Sequence, residues 1–178
     1  MVIAATVAIV VVFTAWSGAL DTESGPSPSA DAGQGVVVRV IDGDTVDVDL
    51  DGQRERVRLI GVDTPESVAP ERPVQCYGVE ASDHTRSLLP VGTVVRLERD
   101  EVGRDQYDRL LAYVYRVDDD LLVNLDLIEG GFADAVTYGD NEALYDTFVA
   151  AESTARADGA GLWSACGGPD VDIAPPPG

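Results

Sequence analysis

The sequence predicts an α+β domain, mainly β: a small antiparallel barrel of five strands with about three helices packed against it. Three observations carry this. Short strand-like runs, some of them alternating apolar and charged residues, dominate the first half of the domain that begins at Val36. Turn residues separate those runs at close intervals. Between and after them lie segments whose apolar residues recur at helical spacing.

Taken in order, "VVVRVI" (Val36 to Ile41) is a strand followed by the turn "DGDT" (Asp42 to Thr45). "VDVDL" (Val46 to Leu50) alternates apolar and acidic residues, and Asp51 with Gly52 supplies a hairpin turn. "RERVRLI" (Arg54 to Ile60) alternates again, so the three form an antiparallel meander. "YGVEASDHTRSLL" (Tyr77 to Leu89) is a helix stopped by Pro90. "TVVRLE" (Thr93 to Glu98) and "LLAYVYR" (Leu110 to Arg116) are two further strands. "LVNLDLIEGG" is a short helix ended by glycine. The segment from Asn141 to Gly159 places Leu144, Phe148, Ala151 and Ala155 on one helix face, with Asp140 or Asn141 as its cap. A five-stranded Greek-key barrel is the OB architecture, whose open face and loops commonly hold oligonucleotides. Fold alone does not establish function.

The folded unit is expected over residues 36–166, with no internal repeat. Residues 1–20 open with "MVIAATVAIVVVFTAW", an uncharged apolar run ahead of Asp21. It suits a signal-peptide core with small residues at Ser17 to Ala19 for cleavage, or an uncleaved membrane anchor; a spanning helix needs about 20 apolar residues. Residues 21–35 are acidic and rich in Ser, Gly and Pro, the composition of a flexible linker. Residues 167–178, ending "APPPG", have the composition of a disordered tail. An exported monomer is expected. Export also favours pairing of the two cysteines, Cys76 and Cys166. Closing a loop of roughly 90 residues adds about 4 kcal/mol in the chain-entropy model. Neither cysteine has a second thiol or a histidine at metal-ligand spacing.

All 12 cationic residues are arginine, against 32 acids of which 22 are Asp, for a formal charge of −20. Taken bluntly, such a surface repels polyanions, because neutralising phosphates drives most nucleic-acid affinity. The reading we prefer is salt adaptation, since self-repulsion is screened within roughly 3 Å at about 1 M salt.

Read singly, "DGDT" is an ordinary turn, and "GVDTPE" (Gly61 to Glu66) is a strand end before a helix. Together they say more. If the first three strands form a meander, Asp44 begins the second and Asp63 follows the third, at the same end of the sheet. Two carboxylates brought together raise each other's pKa unless a cation joins them. Oxygen ligands without histidine or thiolate point to Ca²⁺ or Mg²⁺. Arg58 stands on the strand leading into that turn, and Arg109 begins another strand with Tyr107 two residues earlier. Two arginine forks near a carboxylate-bound cation are what a phosphoryl substrate needs. Glu66 could serve as general base.

The strings "VIDGDTVDV", "RVRLIGVDTPE", "CYGVEAS", "DQYDRLLAYVY", "LIEGGFADA" and "GLWS" occur in the order found in the staphylococcal-nuclease-like (thermonuclease, micrococcal nuclease) family, which the chain resembles from about Val36 to Ser164. The resemblance implies a Ca²⁺-dependent phosphodiesterase acting on DNA and RNA, cleaving the 5′ P–O bond and leaving 3′-phosphates. It implies calcium ligation by the Asp44 and Asp63 carboxylates and the Thr64 carbonyl, and Glu66 as general base. It implies phosphate binding by Arg58 and Arg109, and nucleotide contacts from Tyr107 and Tyr138. A bridge between the cysteine before "YG" and one after "WS" fits exported members. Three positions depart from the family pattern. Asp108 replaces a glycine and adds negative charge beside Arg109, Gln106 stands where a lysine often helps bind phosphate, and Val136 replaces a stacking tyrosine.

His84 lacks a catalytic partner, Asp118 to Asp120 reads as a solvated turn, and Trp163 is expected to pack against the barrel. The alternatives to a nuclease are a non-catalytic OB-type nucleic-acid-binding module and a cell-surface domain stapled by calcium.

Overall fold

The structure, a computed structural model, describes residues 31–67 and 73–173. The expected leader, the first ten linker residues and the proline-rich end of the tail lie outside them. Among the described residues no helix is long and apolar enough to cross a membrane.

Five strands close a barrel in the order β1-β2-β3-β6-β5: β1 (Asp31–Val40), β2 (Thr45–Leu50), β3 (Gln53–Leu59), β5 (Val94–Glu98) and β6 (Leu110–Arg116). The meander is present as read, with Val46 facing Val57 and Thr45 facing Arg58 across the β2–β3 hairpin. All pairs are antiparallel except β3 with β6, which run parallel through Val57–Leu110 and Leu59–Ala112. A long crossover between those strands, containing the first helix and β5, permits that pairing.

Closure depends on β1, which pairs β2 on one side and β5 on the other and breaks register between Val37 and Arg39. Such a bulge bends the strand, as a closed sheet requires. The strand begins at Asp31, so the five residues from 31 to 35, assigned above to the linker, are part of the barrel. Their composition hid this because ladder bonds need backbone, not apolar side chains. Gly35 allows the close approach of β2, since a Cβ there would lie 2.5 Å from side-chain methyls of both Val48 and Leu50 and force them to shift.

The alternation seen in sequence sorts the two faces. Val46 and Val48 of β2, Val57 and Leu59 of β3, and Val95 and Leu97 of β5 are fully buried. β6 is buried through five consecutive residues because helices cover its outer side. There α2 (Val123–Glu129) packs on the strand, and Phe148 of α3 (Tyr145–Asp158) meets Tyr113 edge to face at 6.0 Å. Burying each large apolar side chain of this core contributes about 1.5–3 kcal/mol. A buried Asn124 stitches α2 to the barrel by donating to the Ile60 carbonyl (2.8 Å) and accepting from the Val114 N–H (2.9 Å).

The first helix, α1, spans Gly78–Leu88, and a single turn, α4, spans Leu162–Ala165. Neither Asp140 nor Asn141 caps α3. It starts at Tyr145 with no side-chain cap, and Asn141 instead holds both backbone groups of Val102. His84 packs, with its ring stacked on Phe132 at 3.9 Å and its Nε2 2.6 Å from Asp126. Asp118 and Asp119 pair with Arg116, and Asp120 pairs with Arg96, so that turn ties down strand ends rather than only facing water. Trp163 lies under the guanidinium of Arg156 from α3.

Cys76 and Cys166 form a disulfide, with Cα atoms 5.9 Å apart. The bridge holds the start of α1 beside the end of α4. Consequently residues past Cys166, read above as a tail, continue alongside 74–76: Cys76 donates to the Val171 carbonyl and Ile173 to that of Val74.

Candidate active site

Three chain segments meet at one end of the barrel. The turn between β1 and β2 brings Asp42 and Asp44, the end of β3 brings Arg58, and the segment after it brings Asp63, Thr64 and Glu66. A two-stranded sheet of β4 (Val62–Asp63) and β7 (Asp134–Ala135) fixes the third segment and sets Asp134 opposite Asp63. The turn can press against Thr64 because position 43 is glycine; a Cβ there would lie 2.5 Å from the threonine hydroxyl. Thr85 of α1 donates to the Gly43 carbonyl at 2.6 Å, anchoring the turn from behind.

Arg58 is the centre of this arrangement. It is 3% exposed, with Nε 3.2 Å from Asp44 Oδ1 and Nη2 2.8 Å from Asp63 Oδ1. Nη1 donates to the carbonyls of Leu59 (2.8 Å) and Val62 (2.7 Å), and Nη2 to the Tyr138 hydroxyl. Burial works against its charge, but Asp44, Tyr138 and Asp63 raise its pKa above the ordinary value. Asp44 is equally enclosed, its second oxygen accepting from both the N–H and the hydroxyl of Thr64 at 3.0 Å.

The cleft above them holds about 290 Å³ and is lined by Asp42, Asp44, Asp63, Glu66 and Asp170, against two arginines, Arg58 and Arg109. Thr64, Pro65, Gln75 and Tyr138 complete its wall. This excess of acid leaves a mark. Burial and the neighbouring Asp44 push Asp42 up to about 6. Asp63 is raised because its burial outweighs the pull of Arg58. Burial and Asp63 push Asp134 up to about 6. Tyr138 is pushed up to about 12, chiefly by burial.

A group of carboxylates raised in this way lacks positive charge. Its donors are all oxygen, and the Asp44 and Asp63 carboxylates with the Thr64 carbonyl suit a hard divalent cation completed by water. Among the described residues no set of three or more His, Cys, Asp or Glu forms a ready-made metal cage.

The site residues expected from the sequence are brought together with one exception. Tyr107 is 73% exposed and lies outside the cleft, with its ring 5.6 Å from the Arg109 guanidinium. Arg109 reaches the cleft, but its Nε donates to Asp105 at 2.6 Å. Burial opposes the charge of Asp105, yet its bonds from Arg109 hold it below the usual carboxylate range. The Asp108 side chain is 89% exposed, and its carboxylate lies 3.7 Å from Arg104. What it shares with a glycine is backbone, a φ of 64°. Holding a side chain in that left-handed conformation costs about 1 kcal/mol of conformational strain. Gln106 is exposed, and Val136, half-buried, donates its N–H to Gly61.

Sequence reasoning missed Asp42, Gln75, Asp105, Asp134 and Asp170. Asp42 was inside the quoted "DGDT". Asp105 was likewise inside "DQYDRLLAYVY", four residues before the arginine it binds, whereas the other three arrive through pairing across the fold: Gln75 binds both the Glu66 N–H and Asp170, and no local pattern announces it.

The family described as Staphylococcal nuclease homologue matches residues 56–165. The chain is 43% identical over 148 residues to the Thermonuclease of Staphylococcus hyicus, covering 80% of this chain and 86% of that protein. It is 45% identical over 128 residues to the Thermonuclease of Staphylococcus intermedius, 72% of this chain and 74% of that one. Endonuclease YncB of Bacillus subtilis (strain 168) is 41% identical over 130 residues, 72% of this chain and 61% of YncB. With its barrel, its matched span and these identities, the chain belongs to the staphylococcal nuclease homologue family.

Proposed function

We propose that this protein is an exported, Ca²⁺-dependent nuclease that hydrolyses phosphodiester bonds of DNA and RNA on the 5′ side of phosphorus, leaving 3′-phosphates. The observation that carries this reading is a buried arginine fork shared by two aspartates at the floor of an acid-rich cleft. A phosphate entering there trades one anionic partner of Arg58 for another, so the guanidinium does not have to be desolvated anew.

Asp44, Asp63 and the Thr64 carbonyl would hold calcium, with Asp42 adding negative charge behind them. When bound, the ion supplies Lewis-acid polarisation of the phosphate and neutralises charge. Arg58 and Arg109 bind non-bridging phosphate oxygens and stabilise the extra charge of the five-coordinate transition state. Tyr138 orients the Arg58 fork through its hydroxyl. Glu66 takes a proton from the attacking water. The new bond joins that oxygen to phosphorus, the P–O5′ bond breaks, and the departing 5′ oxygen takes a proton from solvent.

Export rests on the apolar run at residues 1–20, and the paired cysteines suit an oxidising compartment. The charge of −20 is the mark of a protein that works in high salt. Plasmid digestion with Ca²⁺ or EGTA, across a series from low to molar salt, tests the reading. Ca²⁺-dependent nicking is expected; its absence at every salt level would favour a non-catalytic binding module.

A further inference from the structure

The strand that carries Arg58 into the cleft carries two more arginines on the same outward face. Arg54, Arg56 and Arg58 alternate along β3, so neighbouring arginines are about 6.6–6.8 Å apart along the strand. Arg58 is buried, whereas Arg54 and Arg56 are exposed. In a cross-strand row, Arg39 of β1 and Arg56 of β3 flank Asp47 of β2. Arg39 Nε donates to Asp47 Oδ2 at 2.8 Å and Arg56 Nε to Oδ1 at 3.0 Å. Asp47 is only 2% exposed. Both arginines are thus fixed through Nε, and neither forms a hydrogen bond from its terminal amino groups to a described residue. Arg54 forms no ion pair with a described residue.

These side chains line a shallow groove with Arg109 and the exposed ring of Tyr107. Arg109 also lines the catalytic cleft, so the two depressions adjoin at that side chain. Four of the chain's 12 arginines therefore face one groove, opposed in its lining by Asp47 and Asp108, on a molecule of net charge −20. If the arginines served only to neutralise Asp47, one would suffice and Arg54 would have no purpose there. Guanidinium forks set at a regular interval beside an accessible aromatic ring are the elements of a track for a nucleic-acid strand.

We propose that this groove binds the part of a single-stranded polynucleotide that extends beyond the scissile phosphate. Arg56 and then Arg54 take successive phosphates leading away from Arg58, Arg39 reinforces Arg56, and Tyr107 stacks on a base. The inference rests on the nuclease reading and adds a substrate class: single strands several nucleotides long are preferred to minimal ones.

The test compares the full-length protein with Arg54→Ala and with the double variant Arg54→Ala/Arg56→Gln. Substrates are a dinucleotide, which ends inside the cleft, and a single strand of about 15 nucleotides, at 0.1 to 0.4 M salt. Loss of each phosphate contact should flatten the plot of log affinity against log salt by about 0.7. For the longer strand KM should rise several-fold in Arg54→Ala and about tenfold in the double variant, with kcat held. For the dinucleotide both constants should stay at the wild-type value. An unchanged KM for the longer strand, or an equal change for both substrates, overturns the proposal. Because Arg54 forms no ion pair with Asp47 or any other described residue, the effect of Arg54→Ala cannot come from release of Asp47. Fluorescence anisotropy of the labelled strand in EGTA reads the same contacts without cleavage. Absence of hydrolysis would therefore count against the nuclease reading, while unaltered anisotropy would count against the groove.

Discussion

Replacing Arg58 by alanine separates the two roles given to that residue. Its guanidinium pairs with both Asp44 and Asp63, the one ion-pair partner of each among the described residues, and it satisfies the Leu59 and Val62 carbonyls. Removing one member of a buried ion pair costs about 3–5 kcal/mol, because the remaining charge stays buried without compensation. At roughly 3–4 °C per kcal/mol for a domain of this size, melting of the metal-free variant should fall by about 10–20 °C. Calcium then becomes the sole counter-charge for the two aspartates. The rise in melting temperature on adding Ca²⁺ should accordingly be larger in Arg58→Ala than in the parent. Activity should not return with stability: a loss on the order of 10²-fold or more is expected, as when one charge-stabilising donor is removed. Paired thermal melts and plasmid digestion, each with Ca²⁺ and with EGTA, give both quantities. A variant that melts within a few degrees of the parent in EGTA, or gains no more from calcium, would refute the shared-fork account.

Three further outcomes are expected. Replacing both cysteines by serine should remove about 4 kcal/mol by releasing a loop of about 90 residues, lowering the melting point by roughly 10–20 °C, and a reductant should do the same to the parent. Gly43→Ala pushes against Thr64 without touching the core; the calcium needed for half-maximal activity should rise about tenfold or more, as for other changes behind a metal ligand. Asp42 and Asp134 have folded pKa values near 6, above their unfolded value of 3.8, so the stability they contribute is complete below about pH 3.8 and lost as pH rises through 6. Melts in EGTA and molar salt, where general repulsion is screened, should therefore fall from pH 5 to 7. Asp134→Asn should shrink that fall, and a profile identical to the parent's would contradict the assignment.

What could be read from the sequence was local. β2 and β3 were visible because Val46, Val48, Val57 and Leu59 alternate with charged residues, and the Asp51–Gly52 turn fixes their pairing. That pairing alone placed Asp44 and Asp63 at one end of the sheet, and hence most of the cleft. What escaped notice was nonlocal or carried by backbone. Residues 31–35 join β1 through ladder bonds that leave no trace in side-chain pattern. Asp134 reaches Asp63 only through the β4–β7 pair, and Asp170 reaches the cleft only because a disulfide steers the chain after Cys166. The Asn141 expectation failed for a related reason: its amide finds a better-buried partner in Val102 than in the first turn of α3.

The composition and the activity are reconciled by where the arginines sit. A uniform charge of −20 would expel a polyanion, and lysines scattered over the surface could only soften that. Here the cations are fixed by acids at chosen points: Arg109 by Asp105, Arg39 and Arg56 by Asp47, Arg58 by Asp44 and Asp63. Each pair holds a guanidinium in place while its remaining donors stay available or can be exchanged. Screening removes the long-range repulsion in high salt but leaves contacts at hydrogen-bond distance largely intact. An acidic surface can then coexist with a cationic path, provided the path is short, preorganised and built from forks rather than point charges.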